Sequence, residues 1–353
     1  MSGNVSLNCT RPNHASNQMS RATIKDIAKA LNLSVSSVSR ALRDSYEIGE
    51  ETKKKVLEYA QSVNYRPNPI ALGLKERRSH SICVIVPEIA NNFFSEVING
   101  IDRAAYAKGY NVFIFQSFED WVRELQCIEH GIDRHVDGFI ISLSGDTDSY
   151  GHLDVLKEDG IPTVYFDRVP PFDQVDKVVV DNFEGSYKGI QHLIGLGKKR
   201  IAHISSPLNL SITKERHAGY LACLKDHDIE VDENLIHFCG FDPSEAHQTI
   251  REMIAHNKPD AFFINSDRLT LNSLRAIKEN QHLLNTSIEI VGFTNFKHVG
   301  LFNPAMIPIR QPAEAIGAKT VELLIEKIEA KRHVREPATY TLQTTLVTNP
   351  IIS

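Results

Sequence analysis

From Ser81 onward the chain alternates apolar runs of strand length with helical patterns, and this rhythm narrows its possible folds more than any other feature. SICVIVPE precedes a helical pattern over about 94–108, NVFIFQS one near 122–134, and DGFIISL one around 153–158 before PTVYFDR. Repeated strand–helix units build parallel sheet, because each helix carries the chain back to start the next strand in the same direction. After a crossing near 178–182 the rhythm restarts. Helical patterns at 186–195, 215–227, 244–256 and 269–279 are interleaved with RIAHISS, LIHFCG, DAFFINS and IEIVGFT. IRQP, at 309–312, reads as a crossing back into a helix over 314–330, and YTLQTTLVTNPIIS retains a strand pattern. The expectation is a two-lobed α/β domain with parallel sheets over 81–353, lobe 1 about 81–179 and 311–345, lobe 2 about 180–310. Such sheets bind ligands at the carboxyl ends of their strands, so a cleft between the lobes is the expected site.

The residues before Ser81 have a different texture. TIKDIAKALNLSVSSVSRAL, at 23–42, places Ile24, Ile27, Ala28 and Leu31 on one helical stripe. Thr23 and Asp26 have the spacing of a capping box, and Asn32 stands where a tight corner needs a residue that enters the left-handed region cheaply. Ser34 caps a second helix that buries Val38 and Leu42 and leaves Val35, Ser36, Ser39, Arg40 and Arg43 outside, although periodicity alone also allows Val35 in the core. A third pattern, 49–63, carries Val56, Tyr59, Ala60 and Val63 on one side, with Asn64 as a left-handed C-cap. This all-α helix-turn-helix head, 21–65, is also cationic. Over 21–78 there are 12 Lys and Arg against 7 Asp and Glu, a net of +5 within a chain of formal net charge −5, which points to a polyanion at that end.

Between head and lobes, Pro67 and Pro69 stop the third helix and RPNPIALGLKERRSH reads as a hinge, 66–80, with room only for a short turn of helix. Residues 1–20 are rich in Asn and Ser, have Arg11 as their one charged side chain and read as a disordered tail; Met19 is a second possible start.

The runs TIKDIAKALNLSVSSVSRAL and TKKKVLEYAQSVNYRPNPIALGLK resemble the lactose/galactose repressor (LacI/GalR) family of bacterial transcription regulators, and the similarity continues to about Pro312. The resemblance implies a lobed domain like the periplasmic sugar-binding proteins, an effector in the cleft, and a homodimer on a pseudo-palindromic double-stranded operator. It further implies that Val35, Ser36 and Arg40 read base edges, that Thr23, Ser34, Ser37, Ser39 and Thr52 contact phosphates, and that the hinge wedges Leu74, beside Lys75, into the minor groove. For the effector, a sugar or sugar derivative, Arg216 matches the arginine the family uses, and Phe241 and Asp267 match cleft-facing positions.

Strand-end position adds Asn91, Phe93 and Phe94 after the first strand and Asp167 and Arg168 after PTVYF. Each has a plainer alternative: core packing for the two phenylalanines, a local ion pair for Asp167 and Arg168, and a helix cap for Asp267. Thr294 and Asn295 stand where many relatives have an acidic residue, and Leu210 and Ile212 stand where purine-responsive relatives have arginine and threonine, which argues against a purine. The charged tail and leucine heptads of tetrameric relatives are absent from the end of the chain, which favours a dimer.

Other classes find little support. The 5 cysteines show no C-x-x-C, so neither disulfide framework nor metal site is expected. Despite 15 histidines there is no H-E-x-x-H, G-x-S-x-G or phosphate-loop motif, and Gly195 and Gly197 end a helix ahead of a strand, the reverse of a dinucleotide fingerprint. No catalytic residue and no cofactor is therefore expected. No apolar run reaches about 18 residues and no secretory leader precedes the head, so a cytoplasmic protein, on the nucleoid when bound to DNA, is expected. The alternative, a non-enzymatic sugar-binding transport component, explains the lobes and leaves the head unexplained.

Overall fold

The computed structural model describes residues 22–65, 78–147, 149–284, 288–330 and 336–348. The expected tail at 1–20, the alternative start at Met19, and the hinge residues Leu74 and Lys75 lie outside them. The chain divides into two compact units between Arg77 and Arg78.

Among the described residues the first unit contains three helices, α1 (Ile24–Ala30), α2 (Val35–Ala41) and α3 (Glu50–Ser62). Thr23 and Asp26 form the capping box reciprocally: Thr23 N–H donates to Asp26 Oδ2 at 2.8 Å, and Asp26 N–H donates to Thr23 Oγ1 at 3.3 Å. Asn32 and Asn64 both adopt positive φ, 51° and 49°, at the ends where the chain must turn. Ile27, Ala28, Val38, Ala41, Val56 and Ala60 form the buried core. Leu42 is only half-buried and Ala41 takes the place expected for it.

Among the described residues the second unit holds two six-stranded sheets. In the first, β1 (Ser81–Val86), β2 (Asn111–Gln116), β3 (Gly138–Ile141), β4 (Thr163–Phe166) and β5 (Asp176–Val180) pair in parallel in the spatial order β5-β4-β3-β1-β2. The helices between them are α4 (Asn92–Ala107), α5 (Trp121–Asp133) and α6 (Asp154–Glu158). The second sheet takes β6 (Ile201–Ser205), β7 (Ile236–Phe238), β8 (Ala261–Ile264), β9 (Glu289–Phe293) and β10 (Ile307–Arg310), with α7 (Asn182–Gly195), α8 (Ser211–Asp226), α9 (Pro243–His256) and α10 (Asp267–Glu279). The near-continuous burial of β1, β3, β4 and β8 is that of parallel strands covered on both faces.

The chain crosses between lobes three times. It passes from β5 into α7, returns from β10 into α11 (Ala313–Glu329), and crosses again between β11 (Thr339–Leu342), parallel to β5, and β12 (Thr345–Leu346), antiparallel to β10. The single closing strand pattern is therefore two strands, one in each sheet. In the first lobe α4 and α11 meet at backbone distance: a Cβ on Gly100 would lie 2.2 Å from the Glu314 carbonyl oxygen, and one on Gly317 2.2 Å from that of Val97.

Two helices start earlier than their patterns suggest, α7 at Asn182 and α8 at Ser211. The start of α7 hides behind Gly185, a poor helix former, but a Cβ there would meet Thr344 Oγ1 at 2.5 Å, so close packing explains it. The last residues of the expected 66–80 hinge are fixed to the first lobe: Ser79 and His80 donate backbone N–H to the Asp137 carboxylate at 2.7 and 2.9 Å, and Arg78 Nη2 donates to the Ile328 carbonyl at 2.8 Å.

Candidate functional site

The carboxyl ends of both parallel sheets face one another, and the side chains found there come from strand ends and crossings. Arg216, on the second turn of α8, is 2% exposed. Its Nε donates to Asn182 Oδ1 at 2.8 Å, Nη1 to the Asn265 carbonyl at 2.5 Å, and its guanidinium lies 3.8 Å from the Phe293 ring centroid. Burial holds its pKa down to about 10. Asp167, from the opposite lobe, leaves β4 in a left-handed conformation, φ 56°, and burial raises its carboxyl against the pull of Arg216 and Arg168.

Arg168 pairs with Glu119 at 2.5 Å rather than with Asp167, so the local ion pair considered for the turn is replaced by one reaching from the end of β2. Burial works against the Arg168 charge, and Glu119 overrides it. Glu119 Oε2 also receives Gly145 N–H at 2.8 Å. Asn209 of the second lobe donates to the Gly145 carbonyl at 2.7 Å, and Phe241 packs so closely that a Cβ on Gly145 would stand 1.8 Å from its ring.

Asp267 is the first residue of α10, and Ser266 holds the cap position without a side-chain capping bond, so Asp267 is not the cap. Its carboxylate receives the Thr294 hydroxyl, Asn295 N–H at 2.9 Å and, across the cleft, Phe93 N–H at 3.0 Å. Asn295 Nδ2 in turn donates to Glu96 Oε2 at 2.7 Å and to the Gln311 carbonyl at 3.0 Å. Thr294 and Asn295, the neutral pair in the place of an acid, thus orient the acid that Asp267 supplies.

Not all candidates present their side chains. Asn91 Oδ1 caps α4, receiving Phe93 N–H at 2.9 Å and Phe94 N–H at 3.4 Å, so its amide oxygen serves the helix. Phe93 and Phe94 belong to the first lobe's core, Phe94 edge-on to Phe166. Sequence reasoning missed Glu119, Asn182, Glu96, Asn209 and Gln311. Asn182 lies two residues past β5 and Gln311 directly follows β10, so the crossings themselves are the available signal.

In the head, Val35 is 43% exposed, which decides its side of the helix. Ser36 is exposed beside it. Arg40 Nε lies 2.9 Å from Glu47 Oε2, with about half of each side chain exposed (52% and 47%). Ser34 is occupied as a cap, receiving Ser37 N–H at 3.0 Å and lying 2.7 Å from Ser36 Oγ. Ser39 and Thr52 are half-buried, and Thr23 donates its hydroxyl to Asp26 at 2.7 Å.

His237, Cys239 and Glu245 bring donor atoms within 4.8 Å of one another. Glu245 receives Gly240 N–H at 2.6 Å, which ties the start of α9 to the turn after β7, and burial pushes the Cys239 thiol up to about 12.

Residues 79–345 match the family described as periplasmic binding proteins and sugar binding domain of the LacI family, and residues 23–68 match the bacterial regulatory proteins of the lacI family. An HTH-type transcriptional repressor PurR from Aliivibrio salmonicida (strain LFI1238) is 28% identical over 315 residues, 89% of this chain and 94% of that protein. The solved complex of the transcriptional regulator CelR with cellobiose is 25% identical, with a TM-score of 0.68, over 94% of this chain and 99% of that one. The lac repressor dimer bound to operator and the anti-inducer ONPF matches in fold, TM-score 0.81 at 22% identity, over 94% of this chain and 99% of that one. With both of its units matched in order, this chain belongs to the LacI family of bacterial regulatory proteins, DNA-binding transcription regulators controlled by small molecules.

Proposed function

We propose that the protein is a repressor that binds a pseudo-palindromic operator as a homodimer in the cytoplasm and releases or grips it according to a sugar-like effector in the cleft. The observation that carries this reading is the set of hydrogen bonds spanning the lobes, Phe93 to Asp267 and Asn295 to Glu96, beside the buried Arg216 and Asp167. A small molecule there competes for the groups that hold the lobes together, and it shifts the balance of lobe angles by its differential affinity for them. In this reading Val35, Ser36 and Arg40 meet base edges, and Thr23, Ser34, Ser37, Ser39 and Thr52 lie along the phosphates. Leu74 and Lys75 enter the minor groove, so the lobe angle sets the spacing of paired hinges. A transport role leaves the capped, cationic head without a purpose.

The test is a gel shift of the full chain on DNA upstream of its native locus, repeated across sugars and sugar acids. A retained fragment with two-fold related half-sites, whose retention changes with one ligand, is the expected result. Failure to retain any fragment with or without ligand overturns the reading.

A further inference from the structure

Arg268 is the second residue of α10, just past the carboxyl end of β8. Its guanidinium lies 4.9 Å from the Phe241 ring centroid. Nε, Nη1 and Nη2 are all sealed from solvent, and none has a hydrogen-bond partner among the described residues. A planar fork of N–H donors is thus aimed at an aromatic face and at no oxygen. The charges it feels include Arg168, Glu119 and Glu88. Glu119 Oε2 is committed to Arg168 Nη1 and Gly145 N–H, and Arg168 Nε is likewise sealed and unpartnered. The donors left over therefore sit on two arginines that sense one another's charge.

A desolvated cation without an acceptor is among the costliest features a fold can hold, and a like charge nearby adds to the cost. The Phe241 face offsets part of it. A purely packing role at this position is met by leucine or methionine without any such penalty. Two other cleft ions are provided for, Arg216 by Asn182 and the Asn265 carbonyl, Asp267 by its three donors. We propose that the effector is an acid, a sugar-sized polyol whose carboxylate or phosphate oxygens are received by Arg268 and by Nε of Arg168. This assignment rests on the reading of the cleft as the effector site. A bidentate fork matches either oxyanion, whereas a neutral hydroxyl leaves the charge unbalanced.

The probe that needs no knowledge of the polyol is inorganic phosphate. Full-length protein is melted in phosphate and in chloride at equal ionic strength, and the comparison is repeated for Arg268→Gln and Arg268→Lys. Phosphate is expected to raise the wild-type midpoint, to lose most of that effect in Arg268→Gln and to keep part of it in Arg268→Lys; where the glutamine variant does not fold, the lysine variant carries the comparison. Calorimetric titrations with D-gluconate, D-glucose 6-phosphate and D-glucose then separate carboxylate from phosphate, and the acid that binds is expected to weaken about tenfold or more in Arg268→Gln. Phosphate stabilising wild type and variant equally, or neither, overturns the proposal. A neutral sugar that changes DNA retention equally in wild type and Arg268→Gln also overturns it and leaves the regulator reading standing. An acid that binds through Arg268 without affecting DNA retention upholds the acid site and removes the regulatory role.

Discussion

Phe93 N–H donates to Asp267 Oδ2 at 3.0 Å, so the first turn of α4 in one lobe is tied to the first residue of α10 in the other. The same carboxylate also receives Asn295 N–H and the Thr294 hydroxyl. Burial raises its pKa, so its charge is costly and is tolerated because these donors converge on it. An amide at this position keeps one acceptor and turns an NH2 toward groups that are themselves donors. Asp267→Asn is expected to destabilise the protein by about 1–3 kcal/mol and to loosen the lobes. Denaturant unfolding and small-angle scattering check this: unchanged stability together with an unchanged radius of gyration rejects the tie.

Gly317 invites a prediction of opposite sign to the usual rule. Replacing glycine by alanine within a helix commonly gains about 0.5–1 kcal/mol. Here the added Cβ would meet the Val97 carbonyl oxygen at 2.2 Å and the Ile101 backbone nitrogen at 2.7 Å, and backbone cannot rotate aside. Overpacking of about 1–3 kcal/mol wins, so Gly317→Ala is expected to lower the urea midpoint. Gly151, whose Cβ would meet nothing within 4 Å, is the control.

Arg40 and Glu47 form an exposed pair, the class worth about 0–1 kcal/mol. Glu47→Gln is therefore expected to leave the head's stability nearly unchanged while freeing the guanidinium and strengthening DNA binding at low salt. Arg40→Ala is expected to lose about 1–3 kcal/mol of discrimination between operator and random DNA if it holds a guanine bidentately. Equal losses on both DNAs, read by fluorescence anisotropy, would reassign Arg40 to the phosphates.

What was legible in the chain was local. Thr23 with Asp26, Asn32 and Asn64 declare themselves because cap and corner chemistry depends on neighbours within a turn. Val35 was undecided because a helix of 7 residues has too few turns to define a stripe, and its exposed side follows from how α2 packs in the three-helix core. The cleft was legible as a place and only partly as a set of side chains. Arg216 meets Asn182, 34 residues away, and Asn295 meets Glu96, 199 away, and no spacing rule reaches that far. Asn91 reads ambiguously because one amide suits a ligand or a helix end, and the unpaired N–H groups of α4 take its Oδ1.

His203 offers the pH test. It is 0% exposed on β6, with ring centroids of Tyr220 at 4.7 Å and His217 at 5.1 Å, and its Nε2 lies 2.9 Å from Asn265 Nδ2. Burial, reinforced by His217, lowers its pKa to about 3 from the 6.5 of a free imidazole. The native state therefore keeps it neutral while the unfolded chain takes up a proton between those values. Its contribution is fully present above about pH 6.5 and is lost as pH falls toward about 3, with a limiting slope of about 1.4 kcal/mol per pH unit. The loss reaches the cleft as well, since imidazolium cannot accept from the Asn265 amide and the Asn265 carbonyl holds Arg216. His203→Phe costs some baseline stability by removing one of that amide's two acceptors, the Ser205 hydroxyl at 3.1 Å being the other, so the informative quantity is the slope. Between about pH 7 and about pH 5 the wild-type unfolding free energy is expected to fall more steeply than the variant's by a few tenths to about 1.4 kcal/mol per unit. Parallel slopes in urea titrations would assign the acid sensitivity to other groups and leave His203 as packing alone.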